Sequence, residues 1–177
     1  IKEKRLLSLS NEQLNELEKS CIKTARGELN ENKRLLEKLS DFEPDIIFFY
    51  GCSLISQLVI DAFSCPLINI HLGLSPYYRG SGTNFWPLHN KEPECVGVTF
   101  HKLTSKIDDG YIYLQRRATL DMAYDAHEYG LNLIAGIPKD VQFLISKNII
   151  TKQFEQSFEF AAAPRLYYKR SDFEEKD

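Results

Sequence analysis

A chain of 177 residues, 43% hydrophobic and 12% aromatic, carries enough apolar mass for one domain with a sizeable core and too little for two. A formal net charge of −3 and a pI near 5.9 leave no electrostatic footprint for nucleic acid. Cys21, Cys52, Cys65 and Cys95 form no C-x-x-C pair, so neither a zinc site nor a disulfide framework is signalled, and a reducing cytoplasm fits.

Ser10-Asn11-Glu12-Gln13 reads as a capping box ahead of Leu14, Leu17 and Ile22 at helical spacing, which predicts a first helix. Asn30 is placed to cap a second helix, with Leu35, Leu36 and Leu39 as its apolar stripe, before Pro44. Asp45 to Tyr50 is a short apolar run closed by Gly51, the pattern of a strand covered on both faces. Ser53 is expected to cap a helix reaching about Ala62, and Pro66 leads into a strand from Leu67 to His71. Strand, helix and strand in this length make a crossover unit.

Residues 72 to 82 are rich in Gly, Ser and Pro and read as a loop. It follows the carboxyl end of a strand, where open α/β sheets place ligands. Thr83 is placed to cap a helix carrying Phe85, Trp86 and Leu88. Val96 to Leu103 and Tyr111 to Thr119 alternate and predict an antiparallel hairpin over residues 96–119, with Asp108-Asp109-Gly110 as its turn. Gly110 is expected to supply the unusual backbone torsion. Asp125 to about Ser146 predicts a long closing helix containing Pro138. Residues 151–177 lack clear periodicity. The chain therefore divides into an α/β domain over residues 1–150 and a C-terminal extension over 151–177. No apolar run of membrane-spanning length and no signal peptide is present, although a chain beginning at Ile1 leaves a leader or a larger N-terminal region open.

Asn69 and His71 point to one face of their strand, while Ile68 and Ile70 point to the other. An amide donor, an imidazole and a carboxylate from the acidic turn can together hold a carbonyl, donate to its developing oxyanion and move a proton. Asn69 is the donor. His71, with an ordinary pKa near 6.5, is able to donate when protonated or take a proton when neutral. Asp108, near the start of the second hairpin strand, would favour imidazolium and relay a proton if close by, whereas a one-residue slip would put Asp109 in that place; Asp109 otherwise reads as a turn residue before Gly110. His101 is expected to be structural or exposed, and His89 and His127 are ordinary. Arg79 is either a contact for a substrate phosphate or carboxylate or a solvated side chain. Phe85 and Trp86 are expected to pack beneath the loop. No metal is expected from isolated histidines without spaced carboxylates.

Four blocks keep their order: Asn69-x-His71, the loop ending in Arg79-Gly80, Gly97-Val98-Thr99 and Asp108-x-Gly110. Over about Pro44 to Gln115 they resemble the formyltransferase family that uses 10-formyltetrahydrofolate. Tyr78-Arg79-Gly80 and Gly97-Val98-Thr99 lean towards its sugar-nucleotide and methionyl-tRNA branches. The resemblance implies a three-layer Rossmann-like formyltransferase fold with a mostly parallel sheet, and the same roles for Asn69, His71 and Asp108. It also implies a folate pocket along Tyr50, Gly51, Cys52, Ser53, Leu54 and Ile55, closed by Ile107 to Gly110. Leu72-Gly73 stands where relatives often have Pro-Ser, and Ser81-Gly82-Thr83-Asn84 replaces a more apolar run. The N-terminal strands are expected to be truncated, since only 44 residues precede the Asp45 strand, and a second copy covering the bared sheet edge is one expected solution. The expected activity is N-formyl transfer from 10-formyltetrahydrofolate to a small-molecule amine, foremost an amino sugar nucleotide. A formyltetrahydrofolate hydrolase and a non-catalytic folate-binding or oligomerisation module are the alternatives.

Overall fold

The structure is a computed structural model that describes residue 19 and residues 21–121, 123–150 and 166–172. The helix expected after Ser10 lies outside them. Helix α1 (Lys33–Ser40) begins at Asn32, whose side chain accepts from Leu35 N at 3.0 Å. The cap is thus Asn32 rather than Asn30, because Asn30 has a tertiary use. Its Nδ2 donates to Leu54 O at 2.7 Å and its Oδ1 accepts from Ser56 N at 2.8 Å.

Strand β1 (Ile47–Tyr50) pairs in parallel with β2 (Leu67–His71), setting Tyr50 beside Ile70. Between them, α2 (Gln57–Asp61) is shorter than the helix expected from Ser53. Asn30 holds the main chain at Leu54 and Ser56, so residues 51–56 run as a loop and the helix starts only beyond it. Gly51 takes φ 63, a left-handed conformation that suits a residue without Cβ.

Strand β4 (Gly97–Lys102) runs antiparallel to β2, and β5 (Ile112–Arg117) antiparallel to β4, giving a four-stranded mixed sheet in the order β1-β2-β4-β5. The hairpin exists, but a loop over residues 103–111 joins its strands in place of a tight turn. Between β2 and β4 come β3 (Tyr78–Gly80) and α3 (Trp86–His89). The start of α3 is satisfied by Gly82 O, which accepts from Phe85 N and Trp86 N, while Thr83 donates its hydroxyl to Leu72 O. Thr83 is therefore a tie to the loop after β2 and not the expected cap.

Helix α4 (Ala126–Ser146) spans 21 residues and starts at a capping box in which Asp125 and Glu128 satisfy each other's backbone N–H. Pro138 lies inside it. Strand β6 (Leu166–Tyr168), from the segment without readable periodicity, pairs in parallel with β3 as a second, two-stranded sheet.

Alternation along β2 builds the layers. Ile68 and Ile70 join Val98, Phe100, Leu133 and Leu144 in the core on the α4 side; Leu67 joins Leu36, Phe49, Ile55 and Val59 on the α1 and α2 side. Each fully buried side chain of this size contributes about 1.5–3 kcal/mol. Among the described residues no helix is long and apolar enough to cross a membrane.

Candidate active site

The β2–β4 register places Asn69 opposite His101 and His71 opposite Thr99. Asn69 and His71 emerge on one face at the carboxyl end of β2, as the alternation requires. The residues 103–111 loop then brings Asp108 over them. His71 Nδ1 lies 3.3 Å from Asp108 Oδ2, and Asn69 Nδ2 donates to Asp108 Oδ1 at 3.1 Å. Asp108 thus touches both of the residues it was expected to work with, at side-chain exposures of 7% for His71 and 10% for Asp108.

Asp108, not Gly110, holds the left-handed torsion of the loop, at φ 47. Gly110 is needed for another reason: a Cβ there would run into Lys102 O. The Asp108 conformation is held by its partners. Gly80 N donates to Oδ2 at 3.0 Å, and next to it Arg79 Nη1 donates to Asp109 Oδ1 at 2.5 Å. Arg79 is 5% exposed, so it is neither solvated nor open to substrate; it ties β3 to the 108–109 loop. Asp109 is correspondingly more than a turn residue.

His101 is the site residue that sequence reasoning passed over. Buried at 1% exposure, it sets Nε2 3.1 Å from Asn69 Nδ2 and 3.4 Å from Asp108 Oδ1. Its Nδ1 lies 2.9 Å from Lys102 O, an acceptor, which assigns the proton to Nδ1 and leaves Nε2 to accept from Asn69. The only sequence signal was its even spacing from Thr99 on one strand; the register that sets it against Asn69 is a tertiary fact.

His71 Nε2 lies 3.0 Å from Tyr78 O, and its Nδ1 faces Asp108, so both ring nitrogens face acceptors. Burial holds the His71 pKa below its ordinary value, against the pull of Asp108 and the Tyr78 carbonyl. A neutral ring donates from one nitrogen only; taking up a proton completes both bonds. Burial pushes the Asp108 carboxyl up, yet its neighbours His101 and His71 and the Gly80 N–H together hold it below the usual carboxylate range. The pair therefore rests as neutral imidazole and carboxylate, set to accept a proton. Glycine at position 73 makes room for the ring, since a Cβ there would lie 2.5 Å from His71 Nε2. Thr99 Oγ1 donates to Gly73 O at 2.6 Å and accepts from Ser75 N at 3.1 Å, which fixes the loop around it.

These side chains lie at one side of a cavity of about 870 Å³. Tyr50, Gly51, Cys52, Ser53, Leu54, Ile55 and Ile107, which the resemblance assigns to a folate pocket, line it; Gly110 does not. Leu54 is 60% exposed while Ile55 is core, so only the former presents its side chain as an apolar surface. Cys52 is exposed with its thiol against Tyr50 O, away from any placed base. Trp86 is buried and Phe85 lines the cavity; His127, read as ordinary, lines it too. So do Tyr167, Tyr168 and Lys169. Among the described residues no cluster of three His, Cys, Asp or Glu is arranged to hold a metal ion.

The sequence profile of the Formyl transferase family matches residues 6–133. The chain belongs to that family. As a formyl transferase family member it is 39% identical over 85 residues to the bifunctional polymyxin resistance protein ArnA of Wigglesworthia glossinidia brevipalpis, a match covering 48% of this chain and 13% of that protein. Among solved structures it is similar to WlaRD, a sugar 3N-formyl transferase crystallised with dTDP and 5-N-formyl-THF, at 26% identity and a TM-score of 0.58 over 73% of this chain and 46% of that one. The fold is shared with the formyltransferase PseJ of Anoxybacillus kamchatkensis, solved with UDP-4,6-dideoxy-4-formamido-L-AltNAc and tetrahydrofolate. Here identity is 24% and the TM-score 0.57, over 80% of this chain and 83% of that one. The chain thus spans a small part of the curated relative and under half of WlaRD.

Proposed function

We propose that this member of the formyl transferase family transfers a formyl group from 10-formyltetrahydrofolate to the amine of an amino sugar nucleotide. The observation that carries the reading is the contact of Asp108 with both Asn69 and His71 beside the cavity. Folate fits the lining: Tyr50, Leu54 and Ile107 offer partly exposed apolar surface for its ring system, and residues 51–56 offer main-chain groups outside any strand ladder. Bound there, the donor would supply an electrophilic formyl carbon and a leaving nitrogen.

The chain's own residues would do the rest. Asn69 Nδ2 carries two hydrogens, directed at His101 Nε2 and Asp108 Oδ1. Donation to a carbonyl oxygen that gains negative charge exchanges the second of these, and Asp108 keeps Gly80 N–H and His71 as partners. Such a donor in a water-poor site contributes about 3–4 kcal/mol to the transition state. The proton lost by the attacking amine would pass to the His71–Asp108 pair, whose imidazolium form satisfies both Tyr78 O and Asp108, and from there to the donor nitrogen as its bond to the formyl carbon breaks, which restores the neutral imidazole.

Titration with a non-reactive 5-formyl folate, followed by the fluorescence of Trp86 and by calorimetry, tests the pocket; saturable binding at micromolar concentration is expected. Turnover with amino sugar nucleotides should then fall by about 10²–10³ in Asn69→Ala and His71→Ala. Undiminished turnover in both variants would sink the site, and formate released without an acceptor would replace transfer by hydrolysis.

A further inference from the structure

Strand β3 is three residues long and is hydrogen-bonded on both edges. Successive main-chain groups of a strand point to opposite edges. Towards one edge, Ser81 N donates to Tyr168 O at 2.9 Å, continuing the parallel pairing of β3 with β6. Towards the other, Tyr78 O meets His71 Nε2 at 3.0 Å and Gly80 N donates to Asp108 Oδ2 at 3.0 Å. The main chain that orients the imidazole and the carboxylate is thus the same one that β6 holds from behind.

The attachment of β6 is specific. The Tyr168 ring stacks on Trp86, centroids 4.3 Å apart and planes 9° apart, with Tyr78 on a further near-parallel plane at 6.1 Å. Asn90 Nδ2 donates to the Tyr168 hydroxyl at 2.9 Å and to the Tyr78 hydroxyl at 3.1 Å. Gly80, at φ 94, admits the close approach, since a Cβ there would run into Tyr168 O.

We infer that the C-terminal strand Leu166–Tyr168 is part of the catalytic apparatus, with Tyr168 a positioning residue that keeps β3, and through it His71 and Asp108, in working geometry. The turnover part of this rests on the proposed activity; the placement of the Gly80 amide does not. Tyr168 acts through the main chain, so its ring matters more than its hydroxyl. Tyr168→Ala empties the slot against Trp86, whereas Tyr168→Phe keeps the stack and loses only the bond from Asn90.

The test compares wild type, Tyr168→Ala, Tyr168→Phe and Asn90→Ala in the full chain. Two readouts are taken: amide hydrogen exchange at Gly80, whose N–H is held by the Asp108 carboxylate, and the separate kcat and KM for the amine acceptor. Tyr168→Ala is expected to speed Gly80 exchange at least tenfold and to lower kcat at least tenfold, with KM changed by less than threefold. Tyr168→Phe should restore both to within a few-fold of wild type. Asn90→Ala, a substitution at an exposed side chain, should give an intermediate rise in exchange and serves if Tyr168→Ala fails to fold. Unchanged Gly80 exchange in the Ala variants would overturn the inference, as would a loss confined to KM. Faster exchange in a protein with no formyl transfer even as wild type would uphold the placement and instead remove the proposed activity.

Discussion

Replacing Asp108 by Asn keeps the shape of the side chain and removes its charge, and the consequence can be worked from its four neighbours. On the Oδ2 side sit Gly80 N–H at 3.0 Å and His71 Nδ1 at 3.3 Å; on the Oδ1 side sit Asn69 Nδ2 at 3.1 Å and His101 Nε2 at 3.4 Å. Gly80 N–H is a fixed donor, so the amide oxygen must face it. The new NH2 then confronts the NH2 of Asn69, and the carboxylate charge that stabilises the His71 imidazolium is lost. Asn69 leaves Asp108 for the oxyanion in the transition state, so the loss that bears on rate is the one charge-assisted bond to His71, about 1.5–3 kcal/mol. That is a fall of roughly 10–10² in kcat. The Asp108 charge also raises the His71 pKa against the lowering by burial. Without it, the acid limb of the kcat profile should move to lower pH even as the plateau falls. The assay follows tetrahydrofolate formation with an amino sugar nucleotide from pH 5 to 8, with 5-formyl folate binding as the control for an intact pocket. A variant that kept half or more of wild-type kcat, or an acid limb that stayed in place, would refute the reasoning.

Stability should fall in acid in two windows. Burial holds the His71 pKa below its ordinary value, and for Asp108 the neighbours His101 and His71 and the Gly80 N–H outweigh burial to do the same. Each group therefore contributes stability that is fully present above its unfolded pKa and is lost as pH falls through its folded pKa. The first loss begins below about 6.5 and the second below about 3.9. Thermal melts across pH should show both, and His71→Gln should abolish the first; a midpoint flat from pH 7 to 4 in the wild type would contradict this. Asn30→Ala removes two side-chain bonds to the loop at Leu54 and Ser56, costing about 1–3 kcal/mol. It should also raise the dissociation constant for 5-formyl folate severalfold, and calorimetry showing unchanged affinity would separate Asn30 from the pocket.

What could be read from the sequence was what local geometry dictates. Alternation put Asn69 and His71 on one face and Ile68 and Ile70 in the core, and the long run from Asp125 gave α4 nearly to the residue. The choice of Asp108 over Asp109 came from the Asp-x-Gly pattern of the family it resembles and not from local geometry; in the fold the Asp108 carboxylate meets Asn69 and His71. Nonlocal competition hid the remainder. Asn30 was expected to cap α1, and only the folded loop at residues 54–56, which takes its side chain, shows why Asn32 caps instead. His101 became a site residue through a cross-strand register, and Arg79 found its carboxylate on a loop 30 positions away. The β3–β6 pair brings residue 80 beside residue 168, a closure that no periodicity in either short strand announces.

The two-edged role of β3 bears on how such enzymes can be recombined. A designer wishing to alter the cavity wall would naturally exchange the loop over residues 72–85 as a cassette. That cassette contains a three-residue strand whose hydrogen-bonding partners, besides the adjoining His71, lie on two distant stretches, at 108–109 and at 166–168. A graft taken alone would carry one third of a joint. Chimeras that move all three stretches together are the ones in which a new cavity wall and an aligned His71–Asp108 pair arrive intact.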